Sequence, residues 1–471
     1  MLSYRPQPSP ADPFVALVIY LIVLMGLVVA VSGTRDRREL AIRLFFLYLA
    51  YNLFEMALKR ATHFTFYIYP IRGFLLLLVL HSWWKARRQG AQNPAKPPLQ
   101  AILKVYLFLA ALQVFNPYLM NPIVGAMAWY NDFIQVLLYF VAFDLMSEWP
   151  LVRRFFWLTV WLGILSAIAC FIEQAVGPEE LMKSYPTFVQ LSHYDETGRT
   201  FFRPMSLSIF MEVFAIAMMI PLLMISTGFH RKLLLLGFIF ACSTANILHG
   251  VRIAWVTAAF FAAGLTLLNW RRSVLQAVIL LVCLTAGFKV AMSLTEGSIL
   301  LRVDTMETPM QTYAETRLEG LLALVNLIAR YPFGQGVGWG SPGLRFVEFN
   351  STHTVLYGFH NYLVDLAAQV SLLGPLLLLG FCYGVLRRGL RAYRGLRDKE
   401  ARAYVACMLA LFGAITVSFF GGGALGSYPA NEYFWFMAGI LIRVASNHYP
   451  AHREAVGFSP YRRLQAFPAP R

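Results

Sequence analysis

Residues 14–32 read FVALVIYLIVLMGLVVAVS, a run with no charged side chain. A helix of about 20 apolar residues spans the roughly 30 Å hydrocarbon core of a bilayer. The segment ahead of the run holds one arginine, Arg5, among several prolines, and the basic cluster Arg35-Asp36-Arg37-Arg38 follows it. A cleavable signal carries its positive charge first. The reversed order predicts a retained span whose N-terminus lies outside.

Comparable runs recur to the other end of the chain. They predict thirteen spans, over residues 14–32, 40–57, 64–83, 101–119, 122–145, 154–173, 205–226, 233–250, 252–269, 273–293, 360–386, 403–420 and 431–446. The second carries Arg43, Asn52 and Glu55 and is the most polar. The eighth and ninth adjoin, which demands a tight turn between them. Charged residues make up 14% of the 471, against about 25% in soluble proteins. The fold class is therefore all-α and integral to a membrane, with about 12–13 transmembrane helices. A β-barrel would show period-two alternation in short segments.

In a soluble protein a net charge of +16 would suggest a nucleic-acid partner. Here the basic residues gather in short loops between spans, and no nucleic-acid partner is expected. With the N-terminus outside, 26 of the 40 Lys and Arg fall on the inside and 11 on the outside, as the positive-inside rule requires. The chain then divides into ten spans over 1–293, a large outer loop over 294–359, three spans over 360–446 and an inner tail over 447–471. The five cysteines, at 170, 242, 283, 382 and 407, lie in or beside apolar runs. None forms a C-x-x-C pair, so neither a disulfide framework nor a zinc site is expected.

Two outer segments are polar, 174–204 and 294–359. In the second, Leu318, Leu321, Leu322, Val325 and Ile328 recur at helical spacing, which predicts an amphipathic helix over 314–331. Pro332 ends it. The glycine-rich stretch 333–340 follows, and then Gly358-Phe359-His360-Asn361-Tyr362-Leu363, where the loop gives way to an apolar helix.

His360 is the first candidate for chemistry, because imidazole exchanges protons near neutral pH. Asn361, Asp365 and Gln369 follow it at intervals of four and share one face of the helix. The ordinary alternative is an interfacial histidine at a helix end. Arg203, Arg252 and Arg317 lie on the outer side against the charge bias. Guanidinium groups hold phosphate oxygens in bidentate fashion, although snorkelling or pairing with a nearby acid would also account for them. Gly336 and Gly338 belong to a run that either offers N–H groups to an anion or makes a tight connection; the connection is the simpler reading. His353 is a rival base. Outer acids are scattered, so neither a metal nor a cofactor is expected.

Four segments resemble the bacterial O-antigen ligase and polysaccharide polymerase superfamily. They are His249-Gly250-Val251-Arg252-Ile253-Ala254-Trp255; Glu315-Thr316-Arg317-Leu318; Arg330-Tyr331-Pro332-Phe333-Gly334-Gln335-Gly336-Val337-Gly338; and Phe359-His360-Asn361-Tyr362-Leu363 with Leu372-Leu373-Gly374 beyond it. Their order and spacing are similar across roughly residues 195–385. Two positions depart from the pattern: Val251 replaces a serine, and Ser371 stands where the family often has glycine.

The resemblance implies a GT-C-like membrane glycosyltransferase with a large periplasmic loop between the tenth and eleventh spans. It would reside in the bacterial inner membrane and work on the periplasmic face without a metal. The donor would be an undecaprenyl-pyrophosphate-linked oligosaccharide. The acceptor would be a growing glycan for a polymerase, the favoured reading, or lipid A-core or a protein for a ligase. His360 would serve as general base, and Arg203, Arg252 and Arg317 would bind the pyrophosphate. Asn361 would position His360 or the sugar, with Asp365, Gly336 and Gly338 in support. Membrane lipid and other polysaccharide-assembly proteins complete the expected partners. A lipid-linked glycan flippase is the contrasting class; it would call for a transport path and usually internal repeats, and no repeat is evident.

Overall fold

The computed structural model describes residues 12–34, 36–61, 69–90, 96–119, 122–177, 191–194, 200–202, 207, 210–268, 270–295, 299, 325–326, 328–339, 361–420 and 429–447. Their helices are α1 (Asp12–Val31), α2 (Arg37–Ala61), α3 (Tyr69–Gly90), α4 (Gln100–Leu112), α5 (Pro122–Asp132), α6 (Leu137–Leu145), α7 (Trp149–Val176), α8 (Met211–Ile225), α9 (Phe229–Leu248), α10 (Arg252–Leu268), α11 (Trp270–Leu294), α12 (Tyr362–Val370), α13 (Leu373–Gly395), α14 (Lys399–Ser418) and α15 (Ala430–Asn447).

Among the described residues, five segments are long and apolar enough to cross a membrane: Pro122–Leu145, Trp149–Val176, Phe229–Leu248, Leu373–Gly395 and Lys399–Ser418. Shorter apolar helices cover Leu17–Val31, Gln100–Phe115, Met211–Ile225, Ile253–Leu268 and Val278–Leu294. Large apolar side chains stand exposed along α1, α4, α7 and α11. Such a surface belongs against hydrocarbon, as in a helical membrane protein.

α15 runs through the centre. Its aromatic stretch Tyr433-Phe434-Trp435-Phe436 is fully buried. Tyr433 stacks on Phe214 of α8 at 4.7 Å, Phe436 on Phe45 of α2 at 4.0 Å and Phe434 on Phe412 of α14 at 4.6 Å. Helix α6 lies against the same helix at Gly439, where an added Cβ would sit 2.4 Å from the Tyr139 carbonyl oxygen. Small residues let helices approach this closely in membranes.

Charged groups draw several helix ends together. Arg38 at the start of α2 pairs with Glu148 at 2.9 Å and donates to Leu145 O at 3.0 Å, just before α7. Arg153 of α7 pairs with Glu400 at the start of α14, and Arg87 of α3 with Asp144 of α6 at 2.7 Å. These residues mark the arginine-rich end of the bundle.

Three features depart from the sequence expectation. Residues 191–194 and 200–202 form a short antiparallel hairpin within an otherwise helical fold. The expected span 122–145 is present as one membrane-length segment, irregular after Asp132, where a single 3-10 turn, Ile134–Val136, joins α5 to α6. The expected span 360–386 breaks at Ser371, between α12 and α13. Of the expected loop helix, 325–326 and 328–330 are helical and end before Pro332; the rest lies outside the described residues. The loop begins where α11 ends, at Leu294, and α15 runs to Asn447; most of the 294–359 loop and residues 448–471 lie outside the described residues.

Ser371 adopts φ 74° and ψ 174°, a region almost confined to glycine, and a side chain there costs on the order of 1–3 kcal/mol. Its hydroxyl accepts from Leu373 N–H at 3.3 Å. Exchanging such a capping side chain for glycine costs only a few tenths of a kcal/mol. Ser371→Gly is expected to stabilise the protein by about 1 kcal/mol, read as a higher Tm of the detergent-purified protein. A lowered Tm would contradict this account of the break.

Candidate functional site

The opposite end of the bundle gathers the described part of the sequence-derived site. Asn361 is buried and caps α12: its Oδ1 accepts from Leu363 N–H at 3.1 Å and Val364 N–H at 3.4 Å. This satisfies two amides that a helix start leaves without partners. Tyr362 N–H donates to Phe419 O, 3.0 Å away at the end of α14. Asp365 is partly exposed one turn further on. Gln369, the next member of that face, accepts from Gly338 N–H through Oε1 at 3.1 Å.

That last bond ties the glycine-rich stretch to α12. Gly334, Gly336 and Gly338 all have positive φ, at 83°, 103° and 98°, which glycine adopts without strain. Gln335 N–H donates to Ala368 O at 2.7 Å and Val337 N–H to Gln113 O at 3.3 Å. Gln113 Nε2 donates back to Phe333 O at 2.6 Å, and Asn116 Nδ2 to Gly334 O at 3.1 Å. Gly334 and Trp339 N–H donate to carbonyls within the stretch. A Cβ on Gly336 would lie 3.1 Å from Asn116 and Leu119 side-chain carbons, and one on Gly338 3.1 Å from the Ala128 Cβ. The stretch is thus a close-fitting strap between α12 and the α4–α5 corner. Most of its amide donors are spent inside the fold, which disfavours the anion-cradle reading.

Beside the strap lies a buried polar cluster absent from the sequence-derived site. Arg72, near the start of α3 and 2% exposed, faces Glu55 of α2 at 3.6 Å and donates to Asn131 Oδ1 of α5 at 2.6 Å. Its guanidinium lies 5.6 Å from the Tyr130 ring centre. Tyr48 of α2 donates to Glu432 Oε1 of α15 at 3.4 Å and is close enough to Arg72 to feel its charge. Asp132 interacts electrostatically with both Arg72 and Tyr362.

A second buried pair lies at the junction of α9 and α10. His249 Nε2 is 3.2 Å from Glu212 Oε1 of α8, with both side chains fully buried. Gly250 turns the chain at φ 61°, the tight turn expected between the eighth and ninth spans. Arg252 then opens α10. Among the described residues, Glu212 Oε2 and the Asn246 side-chain amide have no hydrogen-bond partner.

Of the expected site, the structure places Asn361 and Asp365 at the first turn of α12, Gly336 and Gly338 in the strap bonded to the last turn of that helix, and Arg252 at a helix start. His360, Arg203, Arg317 and the rival His353 lie outside the described residues, as does the side chain of Arg252. No group of three or more His, Cys, Asp or Glu is placed to hold a metal among the described residues. The signal for Arg72 and Glu55 was present in the sequence: ionisable residues within apolar spans mark interior or functional positions. No family model matches the chain, and no curated protein matches it.

Removing one member of a buried ion pair strands the other, at a cost of about 3–5 kcal/mol. Arg72→Ala is expected to lower thermal stability by that order, and Arg72→Ala combined with Glu55→Ala to recover part of the loss. Thermal unfolding of the three proteins in detergent measures both effects. Purely additive losses would show that the pair is not coupled.

Proposed function

We propose that the chain is a membrane glycosyltransferase acting on an undecaprenyl-pyrophosphate-linked glycan. A polysaccharide polymerase is the first reading and an O-antigen ligase the alternative. The supporting observation is the joining of two motifs distant in sequence. The strap at 333–339 is hydrogen-bonded to α12, the helix that follows His360, and buried charged groups lie beside them.

In this reading His360 accepts the proton of the acceptor hydroxyl as that oxygen attacks the anomeric carbon. The bond to the carrier pyrophosphate breaks in the same displacement, inverting the anomeric centre. Arg203, Arg252 and Arg317 hold the pyrophosphate and stabilise the charge gathering on it. Asn361 is a positioning residue, since its side-chain oxygen is committed to the helix start. The strap fixes the rotation of α12 through Gln369. The reaction takes place at the outer face, in the inner membrane of a bacterium.

A second reading, a lipid-linked glycan transporter, draws on a different observation. Among the described residues, Asn52, Gln135, Ser243 and Asn246 are buried within the bundle with unpartnered side-chain polar atoms. Interior polar groups of this kind also line transport paths.

Losing a general base costs roughly 10²–10⁴ in rate. His360→Ala is expected to abolish long-chain surface polysaccharide at normal protein level, as resolved on a gel of cell-surface glycan. Single repeats left on the lipid core would assign the polymerase, and long chains left on the carrier lipid the ligase. Normal long chains in the variant would refute the transferase.

A further inference from the structure

At the arginine-rich end, α2 and α7 border an open cavity of about 520 Å³ lined by Phe46, Pro150, Arg153, Arg154 and Trp157. The transferase reading makes no use of it. Its lining is largely apolar, from Phe46, Pro150 and Trp157, with Arg153 and Arg154 at its edge. Arg153 is engaged by Glu400. The Arg154 side chain is 61% exposed and reaches only within 3.8 Å of Glu39, so it keeps donors for another acceptor. Arg231 lies 5.1 Å from the centre of the Trp157 ring, and Arg43 stands one turn before Phe46 on α2. Two arginines line the cavity and two lie near it, Arg231 at the Trp157 ring and Arg43 on α2, the latter bonded to Glu39 and to Ser32 O; the acids paired with these arginines are Glu39 and Glu400. The excess is positive, at the helix ends where snorkelling basic residues and tryptophans meet head groups.

The cavity continues into an apolar track. Trp161, Leu165, Ile168 and Ile172 follow Trp157 at spacings of four, four, three and four along α7, and each is exposed. From Trp157 to Ile172 the helix rises about 22 Å, more than the roughly 15 Å half-thickness of a hydrocarbon core. Phe238 of α9 meets the Trp161 ring at 6.3 Å and flanks the track. An open, largely apolar recess edged by two arginines and continuing onto a lipid-facing stripe matches a ligand with an anionic head and a long acyl chain.

We propose that this cavity is a binding site for an anionic phospholipid of the adjoining leaflet. Its phosphate is held by Arg154 and Arg153, its head-group carbons lie against Phe46, Pro150 and Trp157, and one acyl chain lies along the α7 stripe. The apolar track makes the source a lipid, because a free phosphate would gain nothing from it. Basic pockets between transmembrane helices bind anionic head groups elsewhere by the same physics.

The test is native mass spectrometry of the full-length protein in neutral detergent, titrated with phosphatidylglycerol or with phosphatidylcholine of identical acyl chains. A cation near a membrane surface contributes about 1 kcal/mol, or roughly fivefold in binding. The wild type is expected to retain phosphatidylglycerol at least about fivefold over phosphatidylcholine. Arg154→Gln should cut phosphatidylglycerol retention by a similar factor and leave phosphatidylcholine unchanged, while Arg154→Lys should keep most of it. Arg154 is largely exposed, so its variants are expected to fold, and unchanged thermal unfolding would establish that they do. Equal retention of the two lipids would overturn the proposal, as would full retention of phosphatidylglycerol by the combined Arg153→Gln and Arg154→Gln variant. Displacement of phosphatidylglycerol by millimolar inorganic phosphate would assign a simple anion site and overturn it too.

Discussion

A guanidinium buried among apolar helices has to find its partners within the protein, and Arg72 sets that constraint here. Removing such an ion from water costs several kcal/mol even after relaxation. Glu55 and Asn131 offset the cost from α2 and α5, which binds three helices at one end of the bundle. Tyr48 extends the cluster to Glu432 on the central helix α15. The break between α5 and α6 follows Asn131 and Asp132. Short polar side chains compete with the backbone for hydrogen bonds, and here Asn131 Oδ1 is turned to the arginine. The last turn of α5 thus meets Arg72 through Asn131.

The strap against α12 follows another rule. Glycine allows positive φ and close backbone approach at 334, 336 and 338, and the amide donors released by that geometry are taken up by Ala368, Gln369 and Gln113. Ser371 closes the same contact from the other side: its backbone nitrogen would lie 2.8 Å from a Cβ on Gly334. A short α12 and a sharp turn before α13 are the means by which the strap reaches the helix. The positive φ of Ser371 is a backbone reason for which glycine would suit this position.

Helix positions were legible in the sequence because uninterrupted apolar runs leave little choice in lipid, where every backbone group must be satisfied within the segment. The turn at Gly250 was legible from the near-contact of two runs. The breaks at Phe133 and Ser371 were not, since hydropathy averages over a single residue whose conformation is set by tertiary partners. The pairing of Arg72 with Glu55 was hidden for a similar reason. Each residue was visible as a charge within a span, but their meeting depends on how α2 packs along α3. Glu212 and His249 are 37 positions apart, and only the α8–α9 contact brings them together. The described part of the candidate site, Asn361 with Gln369 and the glycine strap, was legible as motif order. Its geometry, in which the asparagine caps the helix and the glutamine holds the strap, came from the structure.

The two functional readings differ in one observable, whether glycan is made or only moved. The purified protein, reconstituted in proteoliposomes with a radiolabelled lipid-linked repeat unit as the sole substrate, separates them, because a polymerase can use that molecule as donor and as acceptor. The account predicts products of two or more repeats, with pyrophosphate-linked carrier released in step and no product from the His360→Ala protein. Label that crosses the bilayer while every molecule keeps a single repeat would contradict it.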